Sequence, residues 1–250
     1  MQTFKMTNLQ RIWRGIQCLH DCGRLYLTTL ERADIESIEF GGHNGDITRV
    51  RGYQNYNVSD SHIKALENPT ALRPWVDTEV KSKFFTDIFN DISPKRYVDF
   101  GCNLGYYVFL GSIANVDSVG IDYNLEYISV CNAIKARHKL KATFKHTNLE
   151  NWHAEDDNSY DLLTVFNVIH HLYNRTEQYK NMDRLVHDFA MKSATVLFEF
   201  PTERDKKGHK WTMDTDYSQD LFESSLTNQF SMWKKIPGQT EERPYYLCNA

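Results

Sequence analysis

The sequence predicts an α/β fold in which helices flank a mostly parallel sheet, with an extension at the N-terminus. Two observations indicate this fold. After Ser93 and Pro94, short apolar runs of strand length alternate with segments of helical periodicity, which is typical of βαβ units with right-handed crossovers. The last two apolar runs have no helix between them, as expected of an antiparallel hairpin at the edge of a mixed sheet.

The first two strand–helix units are delimited by turn residues and by periodicity. A strand at 97–100 lies between a proline and a glycine, and a helix over Tyr106–Ile113 follows the glycine turn. The second strand is predicted at 118–122. A second helix is predicted over Leu125–His138, because apolar residues recur there at helical spacing.

The rest of the predicted domain follows the same alternation. An amphipathic pattern indicates a long helix at 175–191, and a proline ends the strand that follows it. The remaining predicted elements are strands at 143–146, Tyr160–Phe166 and 194–200, a helix at 216–228, and a terminal hairpin from 230–236 and 245–248.

The composition changes near residue 93, and we therefore divide the chain into an extension at 1–92 and a domain at 93–250. The extension has helical periodicity at 9–30, then a glycine-rich piece and a stretch rich in Tyr and Asn. Segments of this composition commonly close over sites and set specificity. We expect a lid or an acceptor-recognition segment, with candidate residues Tyr53, Tyr56, Arg73 and Trp75.

Composition and charge exclude several classes of protein. With 41% hydrophobic residues and a net charge of −4 in 250 residues, the chain is too apolar and too weakly charged to be disordered. No apolar run approaches the roughly 18 residues of a membrane span, and the first residues lack the apolar core of a signal peptide. Five widely spaced cysteines fit reduced thiols. We expect a cytoplasmic protein of unknown oligomeric state.

A metal site is not expected. Cys18, His20 and Cys22 offer metal-ligating atoms within five residues. On a helix, they are too close in sequence to converge on one tetrahedral ion, and no second ligand pair follows at the spacing of a zinc finger.

The informative segment is the glycine turn after the first strand. Its spacing is Asp99-x-Gly101-x-x-x-Gly105, and Asn103 stands where a dinucleotide-binding loop has its middle glycine. An acid before the turn repels phosphate and suits a cationic group. Asp122 ends the second strand, 23 residues after Asp99, where an exposed acid can accept both hydroxyls of a ribose. A nucleoside without phosphates but with a cationic amino-acid tail is S-adenosylmethionine.

The motifs at 98–105, 120–123 and 160–172 together resemble those of class I S-adenosylmethionine-dependent methyltransferases. The resemblance covers about residues 93–250. It implies the Rossmann-like methyltransferase fold, with a seven-stranded sheet and the cofactor across the carboxyl ends of its first half. The His-His pair and the Arg-Pro-aromatic tail are distantly similar to the methyltransferase halves of polysaccharide chain-terminating enzymes.

The resemblance also implies roles for individual residues. Residues of the first motif would surround the methionine moiety, Asp122 would bind the ribose and Tyr123 would lie near the adenine. Asn148 stands where the family more often has an aspartate that reads the adenine together with a backbone N–H, here that of Leu149. Phe166 and Asn167 would lie beside the sulfonium. The first-motif candidates are Asp99, Gly101, Cys102, Asn103 and Gly105.

Two histidines are the candidate catalytic residues. His170 and His171 follow the fourth strand, and a neutral imidazole there could take a proton from a hydroxyl acceptor. Glu199 ends the fifth strand and has either an active-site role or a salt bridge with Arg204.

The sequence is compatible with several acceptors. The resemblance points to a small-molecule or glycan acceptor with a sugar or phosphate oxygen, or to a nitrogen. RNA, including a 5′ phosphate, is the alternative substrate. A non-catalytic cofactor-binding module and an NAD-dependent oxidoreductase are further alternatives, the latter disfavoured by Asn103.

Overall fold

The computed structural model describes residues 78–138, 140–156, 159–205, 216–238 and 240–250. The helices of this part are α1 (Thr78–Ile92), α2 (Tyr106–Ile113), α3 (Leu125–His138), α4 (Leu149–Glu155), α5 (Ile169–Arg175), α6 (Met182–Ala190) and α7 (Gln219–Gln229). The strands are β1 (Arg96–Phe100), β2 (Asp117–Asp122), β3 (Ala142–His146), β4 (Tyr160–Phe166), β5 (Ser193–Glu199), β6 (Met232–Ile236) and β7 (Tyr245–Asn249).

The strands form one seven-stranded sheet in the order β3-β2-β1-β4-β5-β7-β6. The first five pair in parallel, whereas β7 pairs antiparallel with both β5 and β6. The predicted Rossmann-like, mostly parallel sheet with flanking helices is therefore confirmed. The chain order reverses between β1 and β4, and ligands of open α/β sheets bind at such a switch point, outside the carboxyl ends of the strands.

Alternating side chains of each strand pack on opposite faces of the sheet. One face buries aromatic side chains of α1 and α2 together with residues of α3. The other face buries apolar side chains of α4 to α7. The domain therefore has three layers, with helices on both faces of the sheet. The carboxyl ends of the parallel strands form a polar edge between two apolar cores.

Helix α1 was not predicted from the sequence, although it lies in the last part of the predicted extension. Phe85 and Phe89 are buried and pack against the ring of Tyr97 on β1, at centroid distances of 5.6 and 5.4 Å. Helix α1 thus contributes to the core. The rest of the extension, with its candidate lid residues, and the Cys18–His20–Cys22 segment lie outside the described residues.

The single helix predicted at 175–191 is wrong. Helix α5 ends at Arg175, six residues of turn follow, and α6 begins at Met182. The cause is local, because the Asn181 side chain accepts a 2.9 Å hydrogen bond from the Arg184 N–H and starts a new helix. In the turn, buried Tyr179 donates a 2.9 Å hydrogen bond from its hydroxyl to Asp188. Helix α4 was also not predicted.

In the described part of the chain, no helix combines the length and the apolar character that crossing a membrane requires.

Candidate functional site

The glycine turn between β1 and α2 is held by backbone hydrogen bonds to the end of β2. The N–H groups of Gly101 and Cys102 both donate to the carbonyl of Ile121, at 2.8 and 2.9 Å. Gly101, Asn103 and Gly105 all have positive φ, at 75°, 51° and 76°. Three of the five residues from 101 to 105 therefore have a left-handed backbone conformation, which glycine and asparagine adopt most easily. They form a tight turn directly before α2.

The two glycines of the turn are also required by close packing. A Cβ on Gly101 would lie 2.3 Å from Cγ2 of Val168, and one on Gly105 would lie 2.7 Å from the ring of Phe144. Cys102 is buried, and its sulfur lies beside Gly120. The turn is therefore fixed between β2, β3 and the segment after β4.

Asp122 is buried, with 6% of its surface exposed, and our expectation of an exposed acid is wrong. Its two carboxylate oxygens accept backbone hydrogen bonds, one from Asn103 at 2.8 Å and one from Asn124 at 2.9 Å. Burial raises the pKa of the carboxyl, and these two N–H groups act against that rise. A carboxylate has about four lone-pair positions, so the residue can hold the turn and still accept from a ligand.

Asp99 lies at the end of a buried chain of hydroxyl groups. The hydroxyl of Thr164 on β4 donates to Asp99 Oδ1 at 2.7 Å, and the Tyr97 hydroxyl lies 2.7 Å from the same Thr164 oxygen. Because Thr164 has one proton and gives it to Asp99, Tyr97 is the donor to Thr164. Burial, and then the charge of Asp99, raise the pKa of Tyr97, which keeps it protonated for that role.

The ends of β2 and β3 carry the residues predicted to bind an adenine. Tyr123 is 69% exposed, and its backbone carbonyl lies 2.9 Å from Nε2 of His146 at the end of β3. Asn148 is exposed and caps α4, since its side-chain oxygen accepts from the Asn151 N–H at 2.8 Å. The Leu149 side chain is buried in the core, so only its backbone could contact a ligand.

A polar network joins the ends of β4, β5 and β7. Asn167, with φ of 58°, follows β4 directly, and its side-chain nitrogen Nδ2 donates to Glu199 Oε2 at 3.1 Å. Arg243 donates to Asn167 Oδ1 at 2.8 Å and to Asp205 Oδ2 at 2.5 Å. Arg204, the partner suggested for Glu199 by the sequence, lies 3.8 Å from Glu203 instead. The two halves of the Asn167 amide therefore bind different partners and fix this turn.

The candidate catalytic histidines lie in the first turn of α5. His170 is buried and His171 is half-buried, and their ring centroids are 3.9 Å apart. The preceding Val168 packs on Gly101, so this helix start lies beside the glycine turn. Phe166, at the end of β4, is buried between the rings of Tyr107 and Tyr245.

The sequence did not single out Arg243, Asp205 or Tyr245 as site residues. Arg243 is 76 residues from Asn167, and only the antiparallel return of β7 beside β5 brings them together. The signal available in the sequence was an arginine two residues before the last strand. No local pattern indicated its partner.

The arrangement agrees with a comparison against protein families. The family model described as "Methyltransferase domain" matches residues 93–245, which is more than half of the chain. The chain belongs to this methyltransferase domain family. The same comparison covers the glycine turn, the Asp122 segment, the two histidines and the start of β7. No significant match was found among curated protein sequences.

Solved structures share the fold of the methyltransferase domain. The bifunctional kinase-methyltransferase WbdD is 21% identical with a TM-score of 0.54, over 68% of this chain and 38% of WbdD. A S-adenosylmethionine-dependent methyltransferase from Clostridium acetobutylicum is 13% identical with a TM-score of 0.54, over 76% of this chain and 96% of that one. The methyltransferase domain of bacterial CtHen1 is 15% identical with a TM-score of 0.50, over 67% and 96%. The chain thus spans about two fifths of the length of WbdD.

Proposed function

We propose that the domain binds S-adenosylmethionine and transfers its methyl group to an oxygen, or a nitrogen, of a small-molecule or glycan acceptor. The observation that carries the proposal is the chemistry of the glycine turn. Asp99 and Asp122 offer carboxylates, and Asn103 Oδ1 is buried without a hydrogen-bond partner among the described residues. These groups accept hydrogen bonds, so they fit an ammonium and ribose hydroxyls and repel a pyrophosphate.

Each candidate residue has a role in this proposal. Asp99, Asn103 and the backbone of Gly101, Cys102 and Gly105 surround the methionine moiety. Asp122 accepts from the ribose, and the exposed ring of Tyr123 packs on the adenine together with Asn148 and the Leu149 backbone. Phe166 and the Asn167 backbone lie at the border between cofactor and acceptor.

When bound, S-adenosylmethionine supplies a methyl group already activated by its sulfonium. The chain therefore contributes orientation, exclusion of water and, for a hydroxyl acceptor, a base. The pair of neighbouring histidines at the start of α5 supplies that base in our proposal. His170 or His171 accepts the proton of the acceptor hydroxyl at a ring nitrogen as the acceptor oxygen is alkylated.

The acceptor class rests on the resemblance to polysaccharide chain-terminating enzymes, which supports a glycan. RNA is the alternative, and a cofactor-binding module without activity is the third candidate. We also propose that the protein is cytoplasmic and that the segment before the domain contributes to acceptor recognition.

Two measurements test the proposal. Isothermal titration with S-adenosylmethionine and with NADH should give micromolar binding of the first and none of the second. Binding of NADH alone would overturn the cofactor assignment. A methyl-transfer screen with radiolabelled S-adenosylmethionine against glycans, small metabolites and RNA then identifies the acceptor. Tight cofactor binding without transfer to any of the three would favour the inactive binding module.

A further inference from the structure

Tyr245 is a buried residue whose hydroxyl has no hydrogen-bond partner in the described part of the chain. The side chain is 2% exposed, and its ring stacks on Phe84 of α1 at 4.3 Å. A buried hydroxyl without a partner costs free energy, and native proteins rarely keep one. A phenylalanine would make the same ring contacts without that cost.

The position of Tyr245 places its hydroxyl near the residues that border the acceptor in our proposed function. Tyr245 is the first residue of β7 and lies directly opposite Glu199, the last residue of β5. Both stand at the carboxyl edge of the sheet, on the side of β4 that lies away from the glycine turn. Phe166 borders the cofactor in our proposed function, and its ring centroid lies 6.0 Å from that of Tyr245.

The groups around the Tyr245 hydroxyl define its chemistry. Burial, and then the charge of Glu199, raise the pKa of Tyr245, while Arg243 acts in the opposite direction. The hydroxyl therefore stays protonated, and it can both donate and accept. The Glu199 carboxylate is held in place by the Asn167 amide. Arg243, a cation at this edge, is bound by Asp205 and Asn167.

We propose that the Tyr245 hydroxyl is a ligand-binding group of the methyl-transfer site, and that with Glu199 it holds a hydroxyl or amino group of the acceptor. The inference rests on the proposed function and narrows its acceptor class. A hydroxyl or an amine has protons to donate to Glu199 and to the Tyr245 oxygen. An ionised phosphate has none and is repelled by a carboxylate.

The test compares Tyr245→Phe with Tyr246→Phe. Tyr246 is the next residue on the same strand, and its hydroxyl donates to Glu223 at 2.7 Å, within the other core of the domain. Removal of the unpartnered hydroxyl of Tyr245 should raise the melting temperature of the ligand-free protein by about 2 °C or more. Removal of the partnered hydroxyl of Tyr246 should lower it by about 2–4 °C.

The binding probe is sinefungin, in which a carbon bearing an amino group replaces the methylated sulfur of the cofactor. Its amine projects to where methyl group and acceptor meet. Tyr245→Phe should weaken sinefungin about tenfold and change the affinity for S-adenosylhomocysteine, which lacks any group there, by less than about twofold. Tyr246→Phe should leave both affinities unchanged.

The outcomes separate this inference from the function it rests on. If wild-type protein binds both probes and Tyr245→Phe leaves the sinefungin affinity unchanged, the acceptor role of Tyr245 is overturned while the cofactor assignment stands. A fall in melting temperature for Tyr245→Phe would mean that the hydroxyl has a structural partner, which also overturns the inference. If wild-type protein binds neither probe, the cofactor assignment fails and this inference fails with it.

Discussion

The carboxylate of Asp122 accepts a 2.8 Å hydrogen bond from the backbone N–H of Asn103. The acid that ends β2 therefore also shapes the glycine turn that follows β1. Because Asn103 has a positive φ of 51°, this hydrogen bond stabilises a backbone conformation that asparagine adopts at some cost. Asp122 therefore stabilises the turn, in addition to the ligand-binding role that we propose for it.

Asp122→Ala should lower both stability and cofactor affinity. Two part-buried N–H groups lose their acceptor, at up to about 1–3 kcal/mol each. S-adenosylmethionine should bind roughly a hundredfold more weakly or worse, because two hydrogen bonds to a charged group are each worth about 1.5–3 kcal/mol. Denaturant unfolding and titration calorimetry measure the two effects.

Asp117→Ala is the matched control, since Asp117 starts the same strand and its side chain forms a partly exposed ion pair with Arg96 at 3.5 Å. It should change stability by less than about 1 kcal/mol. A folded Asp122→Ala protein with wild-type cofactor affinity would remove Asp122 from the site.

Gly105→Ala should be strongly destabilising, whereas Asn103→Gly should be tolerated. The new Cβ at Gly105 would meet the Phe144 ring at 2.7 Å in a residue whose φ is 76°, so we expect a loss of about 1–3 kcal/mol or more. Asn103→Gly keeps the positive φ and removes Oδ1, so it should retain stability but weaken S-adenosylmethionine about tenfold. Equal cofactor affinity in Asn103→Gly would show that Oδ1 does not contact the ligand.

Arg243→Ala should impair turnover more than cofactor binding. Asn167 and Asp205 both lose a charged donor, which should cost about 1–3 kcal/mol of stability. The turn beside the methyl-transfer point then loosens, while the glycine turn is untouched. Methyl transfer measured at saturating cofactor should fall at least about tenfold, with cofactor affinity within about threefold.

Arg204→Ala provides the comparison for Arg243, because this neighbouring side chain is 84% exposed and lies 3.8 Å from Glu203. Its stability and turnover should match wild type. Should Arg243→Ala retain full turnover, the network would be structural and would not position the acceptor half of the site.

The sequence predicted the sheet closely, because each strand is a short apolar run between turn residues. Two helices, Tyr106–Ile113 and Leu125–His138, have the predicted bounds. Helix α1 was detectable in principle, since Phe85 and Phe89 are spaced by one helical turn. The break between α5 and α6 at 176–181 was not detectable, because the apolar periodicity continues through it. The helix nevertheless restarts there, because the Asn181 side chain caps the first turn of α6.

The same contrast holds for the site. The residues proposed to bind the cofactor lie within local motifs, in which spacing along the chain reports geometry. The polar network beside the proposed acceptor site depends on contacts such as that of Arg243 with Asn167, which only the return of β7 creates. Even at Asp122 the motif gave the residue and not its burial, because burial results from the turn wrapping over the carboxylate.

A hydroxyl acceptor has a proton that must be removed during methyl transfer. If the acceptor is a hydroxyl, His170→Gln or His171→Gln, whichever replaces the base, should lower turnover by about 10²–10⁴-fold with cofactor affinity nearly unchanged. Glutamine keeps the approximate size and one hydrogen bond of the imidazole. The wild-type rate should rise with pH as the base loses its proton, since only the neutral ring accepts a proton.

An acceptor oxygen that is already ionised needs no base, and the same experiment detects this case. Both glutamine variants should then lose only modest activity through positioning, and the rise of the rate with pH should be missing. Because the two rings are 3.9 Å apart, the substitution of one ring also changes the surroundings of the other. The double variant, in which both histidines are replaced by glutamine, is therefore needed to distinguish loss of the base from a change in the surroundings of the other ring. A flat pH–rate profile with both single variants and the double variant active would eliminate the histidine base.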